Sequence, residues 1–421
     1  MSTTTFAELG VPEPMVAALG ARGVEAPFPI QTAAIPDALA GRDVLGRAPT
    51  GSGKTLAFAV PLLATVGRGR PHRPRGLVLA PTRELAEQIR REMGTLAPSV
   101  GRRVTAVYGG VSYRPQRDRL RRGVDVVIAT PGRLTDLLGQ GDLTLADVTH
   151  VVVDEADRMA DMGFLPVVRR LLDATAGGRQ TVLFSATLDG DVAELVRRYQ
   201  RDPVRHEVGA ETPDAGTARH HFWRVVRSER IAHTAAVVAS SSSTIVFTRT
   251  RRGADRLAER LGRRGVRAAA IHGGRSQRQR QRALKDFAGG RVEALVATDV
   301  AARGIHVDGV EAVVHFDLPE DEKAYLHRSG RTGRAGASGA VVSLVLDGDE
   351  RAARRLQHRL GLSGRLGSPE PSALASGGEL LGERPRPEAR DGQGSRPRSG
   401  NGRPRSGNGR RGRAPARRRR R

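Results

Sequence analysis

The segment Ala48-Pro49-Thr50-Gly51-Ser52-Gly53-Lys54-Thr55 lies between a short apolar run, Asp43–Leu45, and an amphipathic stretch. A glycine-rich turn between a strand and a helix lets backbone N–H groups converge on phosphate oxygens, and the helix N-terminus adds positive potential. Lys54 can reach the terminal phosphates of a nucleotide, and Thr55 can bind Mg²⁺. The segment therefore predicts a phosphate loop that holds ATP with Mg²⁺.

Short apolar runs alternate with amphipathic stretches on both sides of this loop. Near-continuous hydrophobicity is typical of parallel strands buried on both faces, and their alternation with helices indicates a doubly wound sheet. In the first half the runs are Gly76–Ala80, Val104–Tyr108, Asp125–Ala129, His150–Val153 and Thr181–Phe184. The pattern restarts with Ile245–Phe247, Ala268–Ile271, Ala294–Ala297, Ala312–Phe316 and Ala340–Leu346. The sequence thus predicts an α/β protein with two parallel-sheet domains.

Composition sets the domain boundaries. We predict an ATP-binding domain at 1–206, a polar linker at 207–217, a second domain at 218–365 and a disordered tail at 366–421. Residues 384–421 contain 15 Arg against two acids and repeat RPRSGNG at 396–402 and 403–409. So little apolar surface cannot offset the entropy of ordering the chain. The tail is either an electrostatic tether for RNA or a solubilising segment, and its five terminal arginines favour the tether.

The charge balance favours a polyanionic partner. Lys and Arg number 70 against 45 acids, a formal net charge of +25, and only three of the 70 are Lys. The chain has no Cys, which excludes disulfides, cysteine nucleophiles, thiolate metal sites and iron–sulfur clusters. No secretory signal or apolar stretch of about 18 residues is visible, so we expect a cytoplasmic protein without a membrane span.

An acidic cluster follows the apolar run His150–Val153. It reads Asp154-Glu155-Ala156-Asp157. Open parallel sheets bind ligands at the carboxyl ends of their strands, where this cluster and the phosphate loop both fall. Asp154 is placed to hold Mg²⁺, and Glu155 to orient or deprotonate the attacking water. By itself the cluster is compatible with a solvated helix start. Together with the loop it predicts a site of ATP hydrolysis.

These segments, in this order, resemble the DEAD-box RNA helicase family over about residues 6–360. The resemblance implies two tandem RecA-like domains and a bacterial-type, ATP-dependent RNA helicase whose ATP hydrolysis is stimulated by RNA. It implies ATP contacts from Phe6, Gln31, Asp299 and His306. It also implies coupling of hydrolysis to strand separation through Asp157, Ser185, Thr187 and His327. Arg331 and Arg334 match the family's arginine fingers, which stabilise charge on the γ-phosphate.

The resemblance also implies a set of contacts to RNA. Few of these contacts reach a base edge, so binding is expected to be largely independent of sequence. The matching residues are Pro81, Thr82, Arg83, Gly109, Gly110, Thr130, Gly132, Arg133, Gln277, Arg280, Thr298, Arg303 and Gly304. RNA of ribosome precursors or of the degradation machinery is a possible partner.

Three residues depart from the family's pattern: Val24 replaces an aromatic residue that stacks on adenine, Gly274 replaces an acid, and His306 replaces an Asp that contacts the ribose. These departures concern the tightness of the ATP-bound closed state. Two alternatives remain open at this stage. One is a DNA helicase of the same superfamily, and the other is a non-hydrolysing RNA clamp or annealing protein driven by the basic tail.

Overall fold

The computed structural model describes residues 4–48, 52–185, 187–188, 190–208, 218–302, 310–333 and 338–381. All of them belong to one compact unit, Met1–Arg384. Several predicted features lie outside the described residues: Pro49, Thr50, Gly51, Arg303, Gly304, His306, Arg334, most of the predicted linker, and the tail from residue 382 onward.

The first sheet has seven strands in the order β3-β4-β2-β5-β6-β1-β7, and every neighbouring pair is parallel. Apart from the half-buried edge strand β7, the strands are short and mostly buried, because helices cover both faces. The strands are β1 Val44–Arg47, β2 Gly76–Leu79, β3 Val104–Val107, β4 Val126–Ala129, β5 His150–Val153, β6 Gln180–Ser185 and β7 Val204–Glu207.

The helices of this domain pack on the two faces of the sheet. They are α1 Glu13–Gly20, α2 Pro29–Leu39, α3 Lys54–Thr65, α4 Arg83–Leu96, α5 Tyr113–Arg121, α6 Pro131–Gly139, α7 Ala156–Asp161, α8 Leu165–Asp173 and α9 Gly190–Tyr199. Successive residues of a strand point to opposite faces. Val78 therefore belongs to one apolar cluster with Phe58, whereas Leu77 and Leu79 belong to the other with Leu134.

The second sheet repeats this plan with seven strands in the order β10-β11-β9-β12-β13-β8-β14. All pairs are parallel except β8 and β14. The strands are β8 Ala218–Val225, β9 Thr244–Phe247, β10 Ala268–Ile271, β11 Ala294–Ala297, β12 Ala312–His315, β13 Gly339–Leu346 and β14 Glu379–Leu380. The helices are α10 Arg230–Ala239, α11 Arg251–Gly262, α12 Gln277–Ala288, α13 Asp299–Ala302, α14 Glu322–Ser329 and α15 Glu350–Arg359.

The prediction of two doubly wound parallel sheets is confirmed, but three strands are not visible as apolar runs. The longest of them, β8, reads ARHHFWRV, and its polar residues conceal it. His220 and His221 are nevertheless buried, because the rings bond to the Tyr325 hydroxyl at 2.7 Å and the Leu374 carbonyl at 3.3 Å. Burial of a polar ring is tolerated when it has such a partner.

The segment 366–381 corrects the predicted start of the tail. Gly367 bridges to Trp223, and β14 pairs with β8 in antiparallel register. Leu374 is buried in the apolar cluster on one face of the second sheet. These residues therefore complete the edge of the second domain.

Candidate active site

The predicted phosphate loop lies between β1 and α3, and two glycines, one before the loop and one within it, are sterically required. A Cβ on Gly46 would lie 2.1 Å from the Phe184 ring. Gly53 has a left-handed backbone with φ of 85°, and a Cβ there would lie 2.4 Å from the Gln31 amide nitrogen. The Lys54 ammonium donates to the Ala48 carbonyl at 2.8 Å. Lys54 is thereby held across the loop, at the N-terminus of α3.

Gln31 forms a hydrogen bond to the backbone of this loop at Gly53. Its Nε2 donates to the Gly53 carbonyl and its Oε1 accepts from the Phe28 backbone N–H, both at 2.9 Å. The residue is 1% exposed. Phe6 is buried in the neighbouring apolar core, and Val24 packs against the same core. The contacts of Gln31 and Phe6 with adenine remain predictions.

Asp154 follows β5 and lies beside Lys54. Its backbone N–H donates to the Leu79 carbonyl at 3.0 Å, which continues the pairing of β5 with β2. Its carboxylate is 3% exposed and accepts from the Glu155 backbone N–H at 3.0 Å. Burial raises the pKa of Asp154 to about 7, with Lys54 opposing and Glu155 adding to the rise. The sheet thus places a buried acid next to the ammonium of Lys54, which is predicted to bind phosphate.

Glu155 adopts a left-handed backbone with φ of 53°, which is unusual for a residue with a side chain. Such a conformation costs on the order of 1–3 kcal/mol and is concentrated at functional sites. The carboxylate of Glu155 pairs with Arg158, one turn further along α7. The turn therefore positions the carboxylate of Glu155 at the strand end next to Asp154.

The residues present fit Mg²⁺ held jointly by protein and nucleotide. Among the described residues, no group of three or more His, Cys, Asp or Glu could hold a metal ion. Mg²⁺ in phosphoryl-transfer sites needs only one or two protein oxygens besides substrate phosphates and water. Asp154 and Thr55 offer such hard oxygen ligands. A cation at Asp154 would also stabilise the ionised carboxylate against the effect of burial.

Ser185 joins β6 to the acidic cluster. Its hydroxyl accepts from the Asp157 backbone N–H at 3.2 Å and donates to the Thr187 carbonyl at 2.6 Å. Ser185 therefore caps α7, the helix that carries the acidic cluster. These two hydrogen bonds bring three of the predicted coupling residues together.

The second domain faces this cluster through α14. Lys323 donates to Asp161 at 2.6 Å, which joins α14 to the end of α7. Burial lowers the pKa of His327, while Asp157 and Asp161 act against that lowering. The predicted coupling histidine therefore lies within electrostatic reach of the acidic cluster.

Arg328 is a site residue that the sequence analysis did not select. Its guanidinium forms two hydrogen bonds to Asp299, at 2.6 and 2.7 Å, and a third to the Asp317 carbonyl at 2.7 Å. Only the spacing of residues 327–334, which read HRSGRTGR, could have indicated it, because arginine is common throughout the chain. Arg331, the first predicted finger, follows α14 and is 7% exposed.

The predicted RNA contacts of the first domain follow the carboxyl ends of β2, β3 and β4. They begin with Pro81, Gly109 and Thr130, and Gly132 is exposed in the first turn of α6. Thr82 caps α4 by accepting from the Leu85 N–H at 3.3 Å. A Cβ on Gly110 would lie 1.7 Å from the guanidinium of Arg83, so this glycine permits the close approach of two motifs.

Arg133 is largely buried, so little of its guanidinium is exposed for contact with a phosphate. It is 7% exposed, stacks 3.8 Å above the Tyr113 ring and donates to the Val111 carbonyl at 3.1 Å. Its Nε and Nη1 are buried and have no hydrogen-bond partner among the described residues. Two donors are therefore available to a ligand that reaches this position.

Arg280 and Gln277 lie on α12, against the first domain. The Nε of Arg280 is 2.9 Å from the Glu84 carboxylate, and both side chains are buried, with 6% and 7% exposure. The angles at this ion pair do not meet those of a hydrogen bond. Both polar atoms of the Gln277 amide are buried without a partner in the described part of the chain. Thr298, after β11, is 7% exposed.

A phosphate loop after β1, acids after β5 and a second parallel sheet facing them define a tandem RecA-like nucleotide-binding protein. Two family models match the chain: DEAD/DEAH box helicase at residues 28–195 and helicase conserved C-terminal domain at residues 229–336. The chain belongs to the DEAD-box ATP-dependent RNA helicase family.

Curated relatives share about two-fifths of the sequence. DEAD-box ATP-dependent RNA helicase 3B, chloroplastic, of Zea mays is 42% identical over 376 residues, covering 86% of this chain and 50% of the relative. ATP-dependent RNA helicase DBP2 of Scheffersomyces stipitis is 41% identical over 362 residues, covering 83% and 68%. The chain therefore spans from about half to two-thirds of the length of these relatives.

Solved structures share the fold. S. cerevisiae Dbp5 bound to RNA and ADP BeF3 matches with a TM-score of 0.76 and 26% identity, over 88% of this chain and 96% of that one. A DEAD box protein from Methanococcus jannaschii matches with a TM-score of 0.51 and 32% identity, over 87% and 99%. Within the described residues, no helix has the length and apolar character needed to cross a membrane.

Proposed function

We propose that this protein is an ATP-dependent RNA helicase that binds RNA largely independently of sequence and locally unwinds short duplexes or remodels RNA–protein complexes. The observation that carries the proposal is the approach of α14 to α7 at the acidic cluster, through Lys323 and Asp161. This approach brings the segment with the predicted arginine fingers towards the nucleotide site. Similarity to a structure solved with RNA and ADP BeF3 supports the same arrangement.

Each domain supplies part of the proposed hydrolytic site. Lys54 binds the terminal phosphates, Asp154 and Thr55 hold Mg²⁺, and Glu155 orients the attacking water. Mg²⁺ held by these residues would supply positive charge to offset the negative charge of the phosphates. Arg331 and Arg334 stabilise the charge that develops in the transition state. Hydrolysis then depends on closure of the two domains, which RNA promotes because its predicted contacts lie on both.

The remaining residues serve binding and coupling in this proposal. Gln31 recognises adenine, and Asp299 contributes to nucleotide binding from the second domain, oriented by Arg328. Ser185 and His327 both act near Asp157, so a change at the nucleotide can reach the RNA-binding segments of both domains. The predicted RNA contacts, from Pro81 to Arg133 and from Gln277 to Gly304, bind the sugar–phosphate backbone.

A steady-state ATPase assay with matched polynucleotides tests the proposal. We expect single-stranded RNA to stimulate hydrolysis and single-stranded DNA of the same sequence to stimulate it much less. Lys54→Ala removes the point charge at the phosphates and should abolish hydrolysis with either polymer. Equal stimulation by DNA would favour a DNA helicase. ATP-independent strand annealing without hydrolysis would favour a clamp.

We also propose a cytoplasmic location and a role with RNA of ribosome precursors or of the degradation machinery. Structured RNA of both kinds provides short duplexes for local unwinding. Fractionation of cells that express a tagged chain, followed by sequencing of the crosslinked RNA, tests both points. Crosslinks confined to another class of RNA would contradict the assignment of substrate.

A further inference from the structure

The amino ends of the strands in the first sheet form the edge opposite the phosphate loop. An arginine precedes six of the seven strands there, within four residues of the strand start. We call this set the amino-edge band, and it consists of Arg42, Arg75, Arg103, Arg122, Arg179 and Arg201. Neighbouring strands are about 4.8 Å apart, so the band extends over about 29 Å. None of its members belongs to a motif that the catalytic site uses.

Two carboxylates at this edge, Asp43 and Asp125, are buried, whereas Asp202 before β7 is exposed. Asp125 is 1% exposed and accepts from the backbone N–H groups of Gly69 and Arg103, both at 2.7 Å.

Asp43 is 7% exposed and accepts from the backbone N–H groups of Thr181 in β6 and of Arg201 before β7, both at 2.6 Å. These acids hold neighbouring loops together. In the described chain both carboxylates accept from backbone donors, and neither lies within 4.0 Å of an arginine side chain of the band, although the charge of Asp43 acts on Arg179.

Most guanidinium groups of the band have no carboxylate within ion-pair distance among the described residues. Among the described residues, only Arg42 has a carboxylate within 4.0 Å, that of Asp37 at 3.5 Å. Arg103, Arg122 and Arg201 are exposed. The Nε of Arg179 is buried without a hydrogen-bond partner, and burial lowers the pKa of this side chain. An anion at this position would stabilise the charge that burial disfavours.

A cavity of about 490 Å³ opens within the band, at the amino ends of β1, β5, β6 and β7. Three arginines contribute to its wall, together with Thr149, His150 and the acidic residues Asp43 and Asp202; the arginines are Arg42, Arg179 and Arg201. Planar guanidinium groups bind phosphate oxygens through two parallel hydrogen bonds. Three of them with a hydroxyl group suit a phosphate of a nucleic-acid backbone.

The second sheet provides an internal comparison for the arginine-rich composition. At its amino edge, Arg267 pairs with Glu293 at 2.7 Å and Arg291 pairs with Asp286 at 2.5 Å. Both domains share the high arginine content of the chain. Ion pairs are thus scarcer in the amino-edge band, where only Arg42 has one among the described residues, than at the amino edge of the second sheet.

We propose that the amino-edge band binds the phosphate backbone of RNA that flanks the segment held in the catalytic site. An acidic protein is less favoured, because protein interfaces are centred on apolar anchors. In the described chain the exposed large apolar residues are Phe28, Val111 and Val226, and none belongs to the band. The inference rests on RNA being the substrate, as proposed above. It adds a second RNA surface on the opposite edge of the first domain.

Salt-dependent binding of the full chain tests this surface. The band variant combines Arg103→Gln, Arg122→Gln and Arg201→Gln. The RNA probes are a single strand of about ten nucleotides, a length that one site accommodates, and the same strand joined to a duplex of about 16 base pairs. Each lost phosphate contact removes about 0.7–0.9 from the log–log slope of affinity against salt. We expect a slope shallower by about 2 for the joined RNA and an unchanged slope for the short strand.

A matched control removes three ion-paired arginines from the second domain. It combines Arg263→Gln, Arg267→Gln and Arg291→Gln, which gives the same change in net charge. Equal slopes for the two triple variants would overturn the proposal, as would an equal loss on the short strand. Weaker binding of polyglutamate by the band variant, with binding of the joined RNA intact, would assign the surface to an acidic protein instead.

Two further measurements separate failure of this inference from other failures. ATPase activity with the short strand should match the parent chain, because that strand occupies only the catalytic site. If the parent itself shows no stimulation by RNA, the proposed function fails, whatever the band does. The single variant Arg122→Gln, which removes one exposed side chain, should show about one-third of the change in slope. If the salt slope of Arg122→Gln is unchanged while the thermal midpoint of the triple variant is shifted, the effect of the triple variant is due to folding. That result would overturn the proposal.

Discussion

Replacing Glu84 by glutamine removes the anionic half of the buried ion pair between the two domains. The pair spans 2.9 Å between α4 and α12, and its side chains are 6% and 7% exposed. At an effective dielectric constant of about 20, charges at that distance attract by about 6 kcal/mol before the cost of desolvation is subtracted. Leaving one buried charge without its partner typically costs about 3–5 kcal/mol.

This cost should appear in domain closure rather than in folding. Arg280 can regain water when the domains separate, so the open state of Glu84→Gln avoids the penalty. A cost of about 3 kcal/mol corresponds to a loss of more than 100-fold in the closing equilibrium. We therefore expect a much higher concentration of RNA and ATP to be needed for closure. The thermal stability of each domain should change little.

Energy transfer between two dyes measures closure directly. Because the chain contains no cysteine, Thr95→Cys and Arg264→Cys introduce single attachment sites on exposed positions of the two domains. Glu87→Gln is the control, since Glu87 pairs with Arg90 on the same helix at 2.7 Å. If Glu84→Gln closes at the same RNA and ATP concentrations as this control, the ion pair does not hold the domains together and the reasoning is refuted.

Four further predictions concern the nucleotide, the tail and pH. Glu155→Gln should bind ATP and RNA but not turn over, and hydrolysis at the parent rate would contradict its role towards water. Deleting residues 384–421, which lie outside the described structure, should make the salt slope of RNA binding shallower while the maximal ATPase rate stays the same; equal slopes would show that this segment does not contact RNA. His306→Asp should lower the KM for ATP several-fold at saturating RNA, since a charge-assisted hydrogen bond to the ribose adds on the order of 1 kcal/mol; an unchanged KM would refute it. Burial holds the pKa of His315 well below its usual range, so the unfolded chain takes up a proton that the folded chain does not. Stability should therefore fall as pH drops below about 6.5, by up to about 1.4 kcal/mol per pH unit, and His315→Asn should flatten that dependence in chemical denaturation.

The parts of the site that depend on neighbours in sequence were predictable. The loop around Lys54 and the acids after β5 were identified because a strand, a tight turn and a helix follow one another within a few residues. Apolar runs likewise marked most strands of both sheets, since burial on both faces demands continuous hydrophobicity. β8 was missed because its histidines are buried through partners distant in the chain.

The sequence by itself determined most of the strands and helices along the chain and the positions of the loop around Lys54 and of the acidic cluster, because each depends on local backbone geometry and local burial. Only the tertiary structure decided how the charges pair. Arg280 with Glu84 and Arg328 with Asp299 are 196 and 29 residues apart in the chain. In a chain with 67 arginines, the role of one arginine depends on whether the fold places a carboxylate beside it. In the amino-edge band, the buried carboxylates bind backbone N–H groups instead. Electrostatic energy depends on distance and burial in the folded molecule, and neither can be read from residue identity alone.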